Sequence, residues 1–407
     1  MKQSVCLYFR IHQPSHLSTF NQNQVGIDHD YFNKSLDRQV IDKLADECYL
    51  PANDIVLSNI MRTKSKFRVN YSISGIVLEL LLKYRPDVIA SFNDLVRTGA
   101  VEILAETYHN SFSCLYSKTE FEKQVENHSQ LIQKIFGLRP AVFRNTELLH
   151  NNEIAQHIYQ LGFKGIICEG LERTLRGRSA NKIYAAPNTG EFGILLRNPG
   201  LSDDIAFRYD DKNWTAYPLA DDKFAGWIHS HPQNDQVINL LLDYDTLGIH
   251  KKKDTGIFNF LDQLPKAVLN HENFQFSTAS EIIEQYYPQD IYDIPLTVSW
   301  QSNSEASFQW FENARQGYAL KKIYSLEKFI NNSSNDVLID SWKNLQSADY
   351  IIAMADRDHG GKFLTPFMSQ DAHEHYKNIV LDLEIRLIKE QLKKNKLDFI
   401  PLSPNVY

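Results

Sequence analysis

Little in this 407-residue chain points to a stapled, membrane-spanning or nucleic-acid-binding protein. Its four cysteines, Cys6, Cys48, Cys114 and Cys168, are far apart with no C-x-x-C spacing, which excludes a disulfide framework or a thiolate metal site read from spacing. They are expected to be buried free thiols. No run of 18 apolar residues occurs, so no transmembrane helix is expected. The opening MKQSVCLYFRIHQP meets Arg10 and His12 too soon to form the apolar core of a signal peptide, and a cytoplasmic location is the expectation. There is no long basic run, and 43 Lys and Arg stand against 50 Asp and Glu, a net charge of -7. That balance argues against nucleic acid or an anionic membrane surface as partner and leaves a neutral small molecule or polymer. Internal repeats, low-complexity tracts and Gly/Ser linkers are also absent, so any two regions should pack closely.

What is present is a large apolar and aromatic fraction, 43% and 12%, enough for a sizeable core and more than one globular unit. Short apolar runs read as strands at Ser4 to Phe9, Arg68 to Ile73, Val101 to Leu104, Ala141 to Phe143, Gly165 to Cys168, Gly193 to Leu196 and Val237 to Leu242. Helical periods lie between them at Ile76 to Tyr84, Pro86 to Arg97, Thr119 to Phe136 (Thr119 and Glu122 forming a capping box), Asn152 to Leu161 and Ala220 to Ile228. Residues 18 to 67 read as a polar, irregular connection with a helical portion near Asp37 to Ala45. Alternation of strand and helix predicts a parallel sheet or barrel with helices outside it. Beyond Phe276 the alternation fades, and the periods at Phe308, Trp310, Phe311, Ala319 and Leu320, and from Tyr376 to Leu387, predict long helices. The expected division is residues 1–275 as the barrel and 276–407 as a helical domain completing the active-site cleft.

Polar clusters follow the strands where barrels and open α/β sheets expose catalytic groups: Arg10-Ile11-His12-Gln13-Pro14, Glu106-Thr107-Tyr108-His109, Arg144-Asn145-Thr146-Glu147 and Asp243-Tyr244-Asp245. Glu147 is the candidate nucleophile, held rigidly at a strand end, and Asp243 is the second carboxyl group that glycoside hydrolysis requires. Aromatic and amide side chains (Tyr108, His109, Asn110, Tyr244, Trp300, Trp310) suit stacking on a sugar, although Trp300 and Trp310 read better as core anchors. His229 and His231 lack a partner acid at ligand spacing, so no metal is expected there.

These stretches together resemble glycoside hydrolase family 57, in particular its α-amylase-like branch. His12-Gln13-Pro14 is similar to that family's first conserved region, VEILAETYHNS with Glu106 to the second, FRNTEL with Glu147 to the third, and LLLDYDTLG with Asp243 to the fourth. LSDDIAFRY and DKFAGWIHS also look like this branch, and the likeness runs over about residues 4 to 390. The resemblance implies an irregular (β/α)7 barrel followed by a mostly helical C-terminal domain. It also implies a retaining mechanism with Glu147 as nucleophile and Asp243 as general acid/base, no metal or other cofactor, and an α-1,4-glucan or maltooligosaccharide substrate contacted by His12, Glu106, Asp245 and Asp349. Alternative activities are 4-α-glucan transfer, α-galactoside hydrolysis, or glucan binding without turnover. Three positions depart from the pattern. Asp245 stands where the branch usually has Glu, Ala348-Asp349-Tyr350-Ile351-Ile352 keeps an Asp but loses an aromatic run, and Arg10 replaces Gln or His, placing a fixed cation beside the first subsite.

Overall fold

Period-2 strands with Val, Ile and Leu on both faces can be satisfied only where both faces are covered, and seven of them close on one another here. The computed structural model describes residues 2–300, 311–356 and 369–398. Its strands are β1 (Gln3–Ile11), β2 (Val69–Ile73), β3 (Val101–Leu104), β4 (Val142–Arg144), β5 (Gly165–Glu169), β6 (Ile183–Ala185), β7 (Gly193–Arg197), β8 (Val237–Asp243), β9 (Phe274–Phe276) and β10 (Asp290–Ile291). Parallel pairings join β8 to β1, β1 to β2 and β2 to β3. The bridge Ala105 to Phe143 carries the ring on to β4, which pairs with β5. β5 then pairs with β7, and the single register Arg197 to Asn239 returns to β8. This is the irregular seven-stranded barrel. Its seven strands are the seven apolar runs of the sequence with ends that differ by one or two residues: β3 matches, β2 and β4 begin one residue later, β4, β5, β7 and β8 run one residue further, and β1 gains one residue at its start and two at its end.

Three further strands were not legible: β9, alongside the start of β1, β6, antiparallel to β7, and β10, parallel to β6. At two or three residues each they are too short to show a period. The larger correction concerns residues 18 to 67, which are not mainly irregular. Helix Lys34–Leu44 runs through a π turn at Ala45–Tyr49 into helix Leu50–Arg62. Its inward stripe, Val40, Ile41, Leu44, Ala45, Cys48, Tyr49, Ala52, Val56 and Ile60, is buried, but polar residues between these positions and Pro51 mask the helical period. Helix Leu50–Arg62 packs on Pro86–Arg97 and on Ile257–Leu269, so it belongs to the outer helical layer. Helix Lys118–Phe136 begins one residue before Thr119, which therefore lies inside the first turn and does not cap it. None of the four cysteines forms a disulfide among the described residues, and Cys6, Cys48 and Cys168 are buried.

Contacts group the chain into two units. The first comprises Met1–Gln13, Arg38–Tyr108 and Thr119–Glu305, and holds the barrel. The second comprises Pro14–Asp37, His109–Lys118 and Ala306–Tyr407. Among its described residues the second unit is helical, with Ala314–Ser325, Asp336–Asn344 and Ser369–Asp398 as its main helices. Asp382, fully buried on the last of these, accepts hydrogen bonds from the Gly26 amide (2.6 Å), the Tyr31 hydroxyl (2.5 Å) and the His29 imidazole (2.8 Å). A single carboxylate thus ties an early segment of the chain to its last helix. Among the described residues no helix is long and apolar enough to cross a membrane.

Candidate active site

The barrel interior is built in two layers by strand alternation. Tyr8, Leu104, Val142, Ile167, Leu195 and Leu241 pack together as an apolar plug. Two residues further along each chain segment, on the same face, stand Arg10, Glu106, Arg144, Glu169, Arg197 and Asp243. The charged layer therefore lies at the C-terminal end of the barrel, on a dry floor.

Its members pair between neighbouring strands. Arg144 on β4 donates to Glu106 after β3 (3.1 Å), Arg197 on β7 donates to Glu169 on β5 (3.1 Å), and Arg10 on β1 donates to Asp243 on β8 (3.2 Å). The first two pairs are sealed: Glu106, Arg144, Glu169 and Arg197 are 1, 3, 2 and 6% exposed. The third opens outward, because the Asp243 side chain is 36% exposed. Burial, together with the like charge of Arg10, lowers the Arg144 pKa, while Glu106, Glu147 and Asp243 act in the opposite sense. Burial also lifts Glu169 to about 7 against the pull of Arg197.

Glu147 reaches this layer from the turn after β4. Its backbone is left-handed (φ 52°, ψ 27°), as is that of Leu148 (φ 52°), a conformation costly for two consecutive non-glycine residues and held only by dense local support. That support is visible. The Asn145 side chain accepts from the Thr146 amide (3.0 Å) and donates to the Leu149 carbonyl (2.9 Å). Ser299 donates its hydroxyl to the Glu147 carbonyl (2.9 Å), and His150 and Val298 exchange two backbone hydrogen bonds (2.8 and 2.9 Å). The carboxylate itself is gripped at both oxygens. Trp300 donates its indole N–H to Oε2 at 2.7 Å, while Oε1 lies 3.7 Å from the Arg10 guanidinium.

Of the six residues expected in the site, Glu147 and Asp243 thus share one cation. Glu106 stands behind them, its Oε2 taken by Ser72 (3.0 Å) and Arg144 and its Oε1 unbonded among the described residues. His12, two residues beyond Arg10, hydrogen-bonds Ser74 after β2 (2.7 Å). Asp245 pairs with His250 (3.5 Å) and keeps Oδ1 buried without a partner among the described residues. Asp349 belongs to the second unit, where its carboxylate accepts from Ser347 (2.7 Å) and Asn110 (3.3 Å). His229 bonds the Val268 carbonyl (3.0 Å), and His231 faces Asp235 (3.5 Å) before β8, at the opposite end of that strand from Asp243. Trp310 lies outside the described residues.

Sequence reasoning missed the Trp300 contact. Trp300 does pack on the barrel core, but its indole nitrogen serves a carboxylate 153 residues earlier, which no local pattern announces. It also missed His150, which is fully buried with neither ring nitrogen bonded among the described residues and a pKa lowered by burial from 6.5 to about 3. Below about pH 6.5 the unfolded chain takes up a proton there that the folded chain refuses, so stability contributed by the neutral ring is lost as pH falls from 6.5 toward 3. The urea midpoint should drop over that window, and less steeply in His150→Phe. Equal slopes for the two proteins would contradict this.

A sequence model of glycosyl hydrolase family 57 matches residues 6–295, well over half of the chain. The chain belongs to glycosyl hydrolase family 57. A Methanocaldococcus jannaschii protein named "Putative alpha-amylase" is 38% identical over 96% of this chain and 86% of its own. Among solved structures, a 4-alpha-glucanotransferase from Thermococcus litoralis matches with a TM-score of 0.72 at 15% identity over 94% of this chain. This chain spans 60% of that enzyme's length. A family 57 branching enzyme from Thermococcus kodakaraensis matches with a TM-score of 0.69 at 13% identity, covering 98% of this chain and 92% of its own. At such identities the structures share the fold: a (β/α)7 barrel with a helical region after it. The family 57 chain described here is a glycoside hydrolase.

Proposed function

We propose that the chain hydrolyses α-1,4-glucans with retention at the anomeric carbon, in the manner of an α-amylase. The observation that carries this reading is the single guanidinium of Arg10 holding one oxygen of Asp243 and facing one of Glu147, which brings two carboxyl groups to a common point at the open end of the barrel. They differ as the two roles require. Glu147 is buried and fixed, as suits a nucleophile, whereas Asp243 is partly exposed and can exchange protons with a leaving group and then with water. In the first step Glu147 Oε1 bonds to the anomeric carbon, the bond to the leaving oxygen breaks, and that oxygen takes the Asp243 proton. In the second, Asp243 removes a proton from water, which attacks the same carbon and releases Glu147. The unbonded Oδ1 of Asp245 and the His12 ring supply polar groups for sugar hydroxyls.

Incubation with maltoheptaose tests the proposal. Shorter maltooligosaccharides released first as α-anomers, followed by proton NMR, are the expected result. Products longer than the substrate would assign glucan transfer, and cleavage of 4-nitrophenyl α-galactoside with maltoheptaose untouched would overturn the glucan reading.

A further inference from the structure

Two carboxyl groups of a retaining site exchange charge during the reaction, and one cation lies against both. Before the first step Glu147 must be ionised and Asp243 protonated. Once the glycosyl ester has formed, Glu147 is neutral and Asp243, having given its proton to the leaving oxygen, is ionised. Arg10 Nη2 is 3.7 Å from Glu147 Oε1 and Nη1 is 3.2 Å from Asp243 Oδ1. The structure therefore assigns Arg10 as a positioning residue that stays in contact with both carboxyl groups, its one charge balanced by ionised Glu147 in the free enzyme and by ionised Asp243 in the glycosyl-enzyme. This inference rests on the retaining reading above.

The geometry suits that role. The Arg10 side chain is only 15% exposed, and its backbone is in register with Asp243 on β8, so the guanidinium is carried by two adjacent strands of the barrel wall. The tight Trp300 bond occupies Oε2 of Glu147, while the looser Arg10 contact leaves Oε1 able to move onto the sugar. One positive charge faces one negative charge before and after the step, so neither state leaves an unbalanced charge over the apolar floor. Other charged or titratable groups act on this trio or stand at the same strand ends. Arg144, with Glu106 behind it, and the buried Tyr49 phenol act on it, and Asp245, paired with His250, and His12, bonded to Ser74, stand two residues beyond Asp243 and Arg10.

An Arg serving only one carboxylate, or only packing, would not move both limbs of the pH profile. Removing a cation shared by both lets each carboxyl hold its proton to higher pH. The acid limb, set by ionisation of Glu147, and the alkaline limb, set by deprotonation of Asp243, then move upward together. In Arg10→Met, the bell for kcat/KM on maltoheptaose is expected to shift by about one pH unit on both limbs. Arg10→Lys should restore both, and Arg10→Gln provides a second uncharged variant if the Met protein does not fold. A bell that stays in place while kcat falls, or movement of one limb alone, overturns the proposal. Carboxylate carbon-13 NMR titration of Glu147 and Asp243 in glucan-free protein reads the same effect without turnover. If the wild type leaves maltoheptaose intact, the functional reading fails. The titrations then decide the part played by Arg10: upward movement of both resonances in the Met variant supports a shared cation, and no movement, or movement of one, rejects it.

Discussion

Glu147→Gln and Glu147→Ala are expected to lose turnover by about a thousandfold or more, about 4 kcal/mol of barrier, on any glucan the wild type cleaves. Neither side chain can form the glycosyl ester, and of the other carboxyl groups in the layer Glu106 and Glu169 are sealed against their arginines while Asp243 is the proposed proton donor. Added azide should recover part of the rate in Glu147→Ala and give a glycosyl azide of configuration opposite to the substrate. Retention of more than about a tenth of wild-type activity by either variant would remove Glu147 from the role. Trp300→Phe keeps the ring and deletes the donor at Oε2, and a lost hydrogen bond to a charged group is worth about 1.5 to 3 kcal/mol. Its kcat should fall about ten- to a hundredfold with KM little changed, and unaltered kcat would reduce the indole to packing.

The second large effect concerns stability. Glu106→Ala should destabilise the protein by about 3 to 5 kcal/mol, because it leaves the Arg144 guanidinium, 3% exposed, without its hydrogen-bonded carboxylate. Glu147 and Asp243 also act on Arg144 and offset part of that loss, so the lower end of the range is expected. Replacing both partners, Glu106→Leu with Arg144→Met, should recover most of it, since two apolar side chains of similar bulk avoid the desolvation of either charge. Urea midpoints of the two single variants and the double variant check this. A Glu106→Ala midpoint within about 0.5 kcal/mol of wild type would show that the pair contributes little.

The barrel strands were readable because each is a both-faces-buried run that stops at a polar cluster, Val237 to Leu242 before Asp243 being the clearest. Of the helix from Lys34 to Arg62 only the part near Asp37 to Ala45 was, because the rest of its apolar stripe is spaced among polar residues and interrupted by Pro51. Within the site, Glu147 and Asp243 could be named from position and resemblance, yet the sequence carries no sign that Arg10 lies against both or that Trp300 holds one of them. Those contacts depend on barrel closure, which brings residues more than 150 positions apart to one point. The left-handed backbone at Glu147 was equally hidden, since Glu and Leu are not residues that advertise a positive φ.

The alternation that stacks a charge above each apolar plug residue also limits how such a barrel can diverge. A change at Glu106 or Arg144 strands the other's charge on the adjacent strand, whereas Arg197 keeps Asp203 when Glu169 is changed and Arg10 keeps Glu147 when Asp243 is changed. Accepted substitutions should therefore come in couples drawn from neighbouring strands, most strictly residues 106 with 144, and less strictly 169 with 197, where Asp203 also holds the guanidinium. Position 10 is bound to two others, so it should be the slowest to vary. In a library randomised across the six sites above the plug, functional members would be found as matched pairs, and the barrel would inherit its charges by twos.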